Sequence, residues 1–71
     1  LAGPQGLDAI QRIVRESPNW LRPGGLLALE VGDGQRDAVC RLFEQAGFGA
    51  VRHRCDLAGI PRIVEGVWPR D

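Results

Sequence analysis

The sequence predicts a small α/β unit whose elements run helix, strand, helix, strand, strand. Three observations carry that reading. Leu26-Leu27-Ala28-Leu29 is an apolar run without alternation, placed directly behind Pro23-Gly24-Gly25; it reads as a central strand covered on both faces. Segments with apolar residues at helical spacing lie before and after it. The final third holds an alternating run, a short link and a second apolar run, which is the pattern of an antiparallel hairpin.

Leu1 to Gly6, with two glycines and a proline, is expected to be an irregular lead-in. From Leu7 the residues Leu7, Ile10, Ile13 and Val14 recur on one helical face, and Asp8 suits the positive end of the helix dipole. Ser17-Pro18 is predicted to kink that helix, or to end it and begin a short second one capped by Ser17. Trp20 and Leu21 then continue the apolar face up to Pro23. The strand Leu26 to Val31 follows, interrupted by Glu30 and closed by Gly32-Asp33-Gly34. Asp33 or Gly34 is expected to cap a helix from Gln35 to Ala46 that buries Val39, Leu42, Phe43 and Ala46. Gly47 fits the left-handed position past its end, and Phe48 folds back on the last turn. In Val51 to Leu57, Val51, His53, Cys55 and Leu57 share one face, and Arg52, Arg54 and Asp56 the other. Ala58-Gly59-Ile60-Pro61 turns the chain, and Arg62 to Trp68 closes it. So short a link joins antiparallel strands, because a parallel return needs a crossover of a dozen or so residues. The helical crossover between the first two strands sets those two parallel, with the last strand free to insert between them. That arrangement leaves one apolar strand edge unpaired.

The chain has 71 residues, enough for one small domain. A chain this short buries a modest fraction of its surface, so a partner subunit or a larger parent is expected to support it. It begins at Leu1 and not at a methionine, which is read as a start inside a longer protein. Nine arginines balance nine acidic residues, without lysine and without a long charge block, and no direct nucleic-acid binding is expected. No apolar run approaches membrane-spanning length and no signal peptide is visible, so no membrane partner is expected and the cytoplasm is the expected location. Cys40 and Cys55 read as small buried hydrophobes in a reducing compartment. Cys40, His53 and Cys55 lack a fourth ligand and the usual spacing of a zinc site, so no metal is expected.

Leu21-Arg22-Pro23-Gly24-Gly25 before an apolar strand is a motif shared by class I, S-adenosylmethionine-dependent methyltransferases. Further motifs narrow the likeness. They are Gly6-Leu7-Asp8-Ala9-Ile10, Leu29-Glu30-Val31-Gly32 followed by Gln35, Ala46-Gly47-Phe48, and Asp56-Leu57-Ala58-Gly59 with Arg62 and Gly66. Together they resemble the C-terminal end of the HemK/PrmC family, the protein-(glutamine-N5) methyltransferases that modify peptide-chain release factors. The resemblance implies that residues 1–71 are the C-terminal part of a Rossmann-like catalytic domain, with the last strand inserted antiparallel before the penultimate one. It implies S-adenosylmethionine as the parent's cofactor and a release factor as its partner. The family's glycine-rich loop, its ribose-binding acid and its Asn-Pro-Pro-Tyr motif lie upstream and do not occur here. No catalytic or cofactor-binding residue is therefore assigned, no cofactor is expected on this segment, and the segment alone is expected to be inactive. Gly3-Pro4-Gln5-Gly6 departs from the family's usual Asp before Gly-Leu.

Glu30, Gly32 and Gln35 fall at the carboxyl end of the first strand, the rim where open α/β sheets bind ligands, and are the candidates for lining a substrate entrance. The plainer readings are an acid facing water or paired with arginine, a turn glycine and a first-turn helix residue. His53 reads as a packed or exposed neutral imidazole, since aligning a glutamine amide needs no histidine base here. Arg52 and Arg54 share a face, either solvated or touching a ribosomal or release-factor surface. Asp56 and Arg62 are placed to pair across the hairpin. Trp20 and Trp68 read as core or interface anchors. Two alternatives stay open: a self-associating scaffold or protein-binding module without catalysis, motivated by the unpaired edge, and another class I methyltransferase with a different substrate.

Overall fold

Pro4 enters the first turn of a helix and does not delay it, because the amide hydrogen that proline lacks has no acceptor there. The computed structural model describes residues 3–70, with side chains from residue 6 onward, and its first helix, α1, spans Gly3–Glu16. The irregular lead-in predicted up to Gly6 is thus corrected from Gly3 onward; Leu1 and Ala2 lie outside the described residues. Pro18 ends α1 and does not kink it. Ser17–Asn19 forms a 3-10 turn, and Ser17 caps nothing forward. It is buried, and its hydroxyl donates back to the Val14 carbonyl at 2.9 Å. Its own carbonyl accepts the Trp20 and Leu21 amides, so the chain leaves the helix with Trp20 pointing outward and 59% exposed, not continuing the apolar face.

Strand β1 is Leu26–Glu30, helix α2 is Arg36–Ala46, and strands β2 and β3 are Gly49–Cys55 and Pro61–Val67. Helix α2 follows the prediction closely. Val39 and Phe43 are fully buried and Leu42 and Ala46 pack at the margin. Gly47 takes φ +102°, and the Phe48 amide donates to the Phe43 carbonyl at 3.1 Å. Phe48 folds back so that the two rings lie 5.1 Å apart. Gln35, not Asp33 or Gly34, occupies the cap position before α2.

The sheet order is β1-β3-β2, with β3 antiparallel to both neighbours. β1 and β2 therefore run parallel, with the last strand inserted between them, as link length and crossover required. Leu27 faces Gly66 and Leu29 faces Val64 across the first pair. Both helices cover that one side, and the core is Ile10, Val14, Leu27, Val31, Val39, Phe43, Phe48 and Val64.

The other side carries Leu26, Ala28, Glu30, Ile63, Glu65, Val67, Arg52 and Arg54, with no helix over it among the described residues. Two expectations are corrected here. β1 is an edge strand covered on one face, with Leu26 56% exposed, and not a central strand covered on both. β2 is the opposite edge and reaches past the helices. Only Val51 is half-buried, while His53, Cys55 and Leu57 are exposed, although the alternation assigned them an apolar face. Cys40 is half-buried, and burial, with Glu44 nearby, raises its thiol above the ordinary value.

Candidate functional site

The carboxyl end of β1 opens into the loop Gly32-Asp33-Gly34-Gln35, and this loop is closed on itself. The Gly32 amide donates to Gln35 Oε1 at 2.7 Å, and the Gln35 amide donates to the Gly32 carbonyl at 3.1 Å. Gly34 supplies the positive φ of +76° that the reversal needs. Gln35 is buried by this exchange. The structure thus brings Gly32 and Gln35 together as a brace. Glu30 ends β1 and is exposed, and strand alternation sends it to the uncovered face, away from Gln35.

Beside the loop stands the turn between β2 and β3. Asp56 organises it: Oδ1 accepts the Ala58 amide at 2.9 Å and the Ile60 amide at 3.0 Å, and Oδ2 accepts Arg62 Nε at 2.9 Å. The Ile60 amide, then the Arg62 guanidinium, hold the Asp56 carboxyl below its ordinary range. The expected Asp56–Arg62 pair is therefore present, and Arg62 also comes within 3.8 Å of Asp33. A cleft of about 320 Å³ separates the loop from the turn, lined by Gly32, Asp33, Arg36, Asp37, Ile60 and Pro61 among others. A second cleft of about 290 Å³ lies between the helices near Val14 and Leu42, away from this rim.

Glu65 escaped the sequence reading. It lies in the middle strand with 4% of its surface exposed, and accepts Arg52 Nε at 2.5 Å and Arg54 Nε at 2.9 Å. The two guanidiniums, Arg52 first, lower its pKa. The signal was available: an acid inside an apolar strand needs a partner, and two arginines spaced by two present themselves on one face of the neighbouring strand. His53, Cys40 and Cys55 form no metal-ligating group among the described residues. Trp68 packs edge-on to Phe48 at 5.1 Å and is a core anchor; Trp20 is not.

The chain is thus a small α/β unit, two helices and a three-stranded sheet whose last strand runs antiparallel to both neighbours, with a glycine loop at the carboxyl end of β1. No protein-family model matches it. Among curated proteins it is 46% identical to a release factor glutamine methyltransferase of Gloeobacter violaceus over 87% of this chain and 22% of the relative. It is 46% identical to the enzyme of that name from Cereibacter sphaeroides over 94% of this chain and 24% of the relative. The corresponding figures for the Pseudomonas aeruginosa enzyme are 43%, 96% and 25%. The chain spans about a quarter of the length of the relatives it matches, and the match falls in their C-terminal part. By sequence it is similar to the C-terminal segment of proteins named release factor glutamine methyltransferase, the family that its motifs resemble. No described helix is long and apolar enough to cross a membrane.

Proposed function

We propose that residues 1–71 form the C-terminal part of a class I methyltransferase domain that uses S-adenosylmethionine to N5-methylate a glutamine of peptide-chain release factors. The observation that carries this reading is the 43–46% identity to three enzymes of that name across about nine-tenths of the chain. The uncovered sheet face and the free edge of β1 support it, since both suit a sheet that continues into an upstream portion.

This chain's own residues do not fit the cofactor. The Gly32 amide and the Gln35 amide oxygen, which would address a ligand at the rim, are bonded to each other. The cleft beside them is walled by glycine backbone, Ile60, Pro61 and charges that face one another. In this reading the cofactor and the glutamine amide are held upstream, and these residues take no direct part in methyl transfer. What the segment contributes is support: it extends the sheet and fixes the shape of the rim around Glu30, Gly32 and Gln35. The parent acts in the cytoplasm, on a protein, without direct contact to nucleic acid.

The test is methylation of a purified bacterial release factor by the product of the gene including its upstream coding sequence. A glutamine carrying one extra methyl group by mass spectrometry is the expected result. Titration calorimetry of the 71-residue chain with S-adenosylmethionine is expected to show no binding, and micromolar binding overturns the division of labour. A second reading, self-association of this chain without catalysis, is favoured by the free edge of β1.

A further inference from the structure

Strand β2 does not pair with β3 in a single register. Gly49 faces Val67 and Cys55 faces Pro61, so the two ends of the pairing are in step with each other. Between them Arg52 faces Glu65, His53 faces Val64 and Arg54 faces Ile63, one residue out of step with both ends. The offset enters where Ala50 and Val51 together stand opposite Gly66, and it leaves where Arg62 is the extra residue on β3. Each strand carries one extra residue, so the two irregularities cancel.

The first of them is strained. Ala50 takes φ +50°, the only positive value on a non-glycine residue among those described. In that conformation Cβ crowds the following carbonyl oxygen. Glu65 offsets the strain. Side chains alternate along a strand, so an offset of one residue decides which face Arg52 and Arg54 take. In the offset register both lie on the bare face of the sheet, and each donates through Nε to the buried Glu65 carboxylate. In an unbroken register, with Gly49–Val67 and Cys55–Pro61 unchanged, Val51 would face Glu65 and His53 would face Ile63. Both arginines would then turn to the helix side, and Glu65 would lose two charge-assisted hydrogen bonds that Val51 cannot replace.

We propose that Arg52-His53-Arg54 is a two-register insert, locked by the Glu65 carboxylate with its arginines on the bare face and released to the unbroken register when that charge is removed. The ends of the pairing stay in place, because the two extra residues annihilate each other and Ala50 relaxes to an ordinary strand conformation. The device sets the chemistry that β2 offers to whatever meets the bare face: two guanidiniums in one state, Val51 and His53 in the other. It does not depend on which reaction the longer protein performs.

The test is NMR of the isotopically labelled 71-residue chain, reading the cross-strand contacts between β2 and β3. The wild type is expected to show His53 opposite Val64. Glu65→Leu is expected to show Arg52 opposite Val64 and His53 opposite Ile63, with Gly49–Val67 and Cys55–Pro61 kept. The ratio of the two registers is expected to change at least about tenfold, the scale of one lost hydrogen bond to a charged group. Ala50→Val, with Glu65 in place, is expected to move the ratio in the same direction, since a β-branched side chain resists positive φ. Unbroken pairing in the wild type, or offset pairing retained in Glu65→Leu, overturns the proposal. If Glu65→Leu loses the hairpin altogether, Ala50→Val decides. A shift toward unbroken pairing in that variant supports the proposal, and unchanged offset pairing or a lost hairpin overturns it.

Discussion

Gly66 lies under α2 with no room for a methyl group. A Cβ there would meet Phe43 Cδ2 at 2.8 Å and Phe48 Cβ at 3.1 Å, and both rings belong to the packed core. Neither is the free end of a flexible side chain, so the helix itself would have to move. Gly66→Ala is expected to destabilise the chain by about 1–3 kcal/mol in urea unfolding; unchanged stability would show that α2 is free to back away. Glu65 acts differently. Its carboxyl is held below its ordinary value of 4.5 by Arg52 and then Arg54. A carboxylate with a depressed folded pKa contributes stability above the ordinary value and loses it as pH falls through the folded value. Glu65→Gln is therefore expected to melt below the wild type near neutral pH. That gap should narrow as pH falls below 4.5 toward the lower value at which the carboxylate of the folded wild type takes up its proton. A gap that stayed constant with pH would assign the effect to packing.

At the scale of elements, β1 is the least conventional piece. Gly25 and Val31 are bonded to β3 through the Trp68 amide and the Arg62 carbonyl. In an antiparallel pair, alternate residues face the partner. Leu27 and Leu29 thus bond β3, and the N–H and C=O groups of Leu26, Ala28 and Glu30 point to the free edge. Hydrogen exchange of the 71-residue chain is expected to show protected amides at Leu27 and Leu29 and fast exchange at Leu26, Ala28 and Glu30. In the longer gene product the fast set should become protected. Fast exchange in both would mean that no strand is added at this edge. The β2–β3 hairpin contrasts with β1, because its turn is secured by Asp56 and its exposed arginines are tied to Glu65.

For the whole molecule, the arrangement is two layers where the apolar pattern asks for three. One face of the sheet has both helices, while the other presents Leu26, Ala28, Ile63 and Val67 around the Glu65 ion pairs. An open face beside an open edge promotes association in water. If self-association is the fate of the chain by itself, light scattering will show a mass that rises with concentration, and Ala28→Lys on that face will return it to the monomer. A monomer at all concentrations would remove the self-association reading and leave the methyltransferase reading intact.

The kinds of element and their order were legible in the sequence, because periodicity, proline and glycine act within a few residues of themselves. The α2 cap at Gly47 and Phe48, the antiparallel hairpin and the insertion of the last strand all followed from local rules and link length. The family was legible from short motifs alone. What the tertiary structure decided is everything that depends on which neighbour is present. The apolar run of β1 spells a strand buried on both faces, yet one face is bare because no described helix reaches it. The alternation of β2 names an apolar face, yet His53, Cys55 and Leu57 are exposed because the strand sits at an edge beyond the helices. Gln35 turns inward to brace Gly32, and Glu65 becomes the hub of two arginines whose shared face was legible but whose partner was fixed by the register of β2 on β3. Local chemistry sets what each segment becomes; burial and pairing are set by the surfaces that meet, and those exist only once the chain has folded.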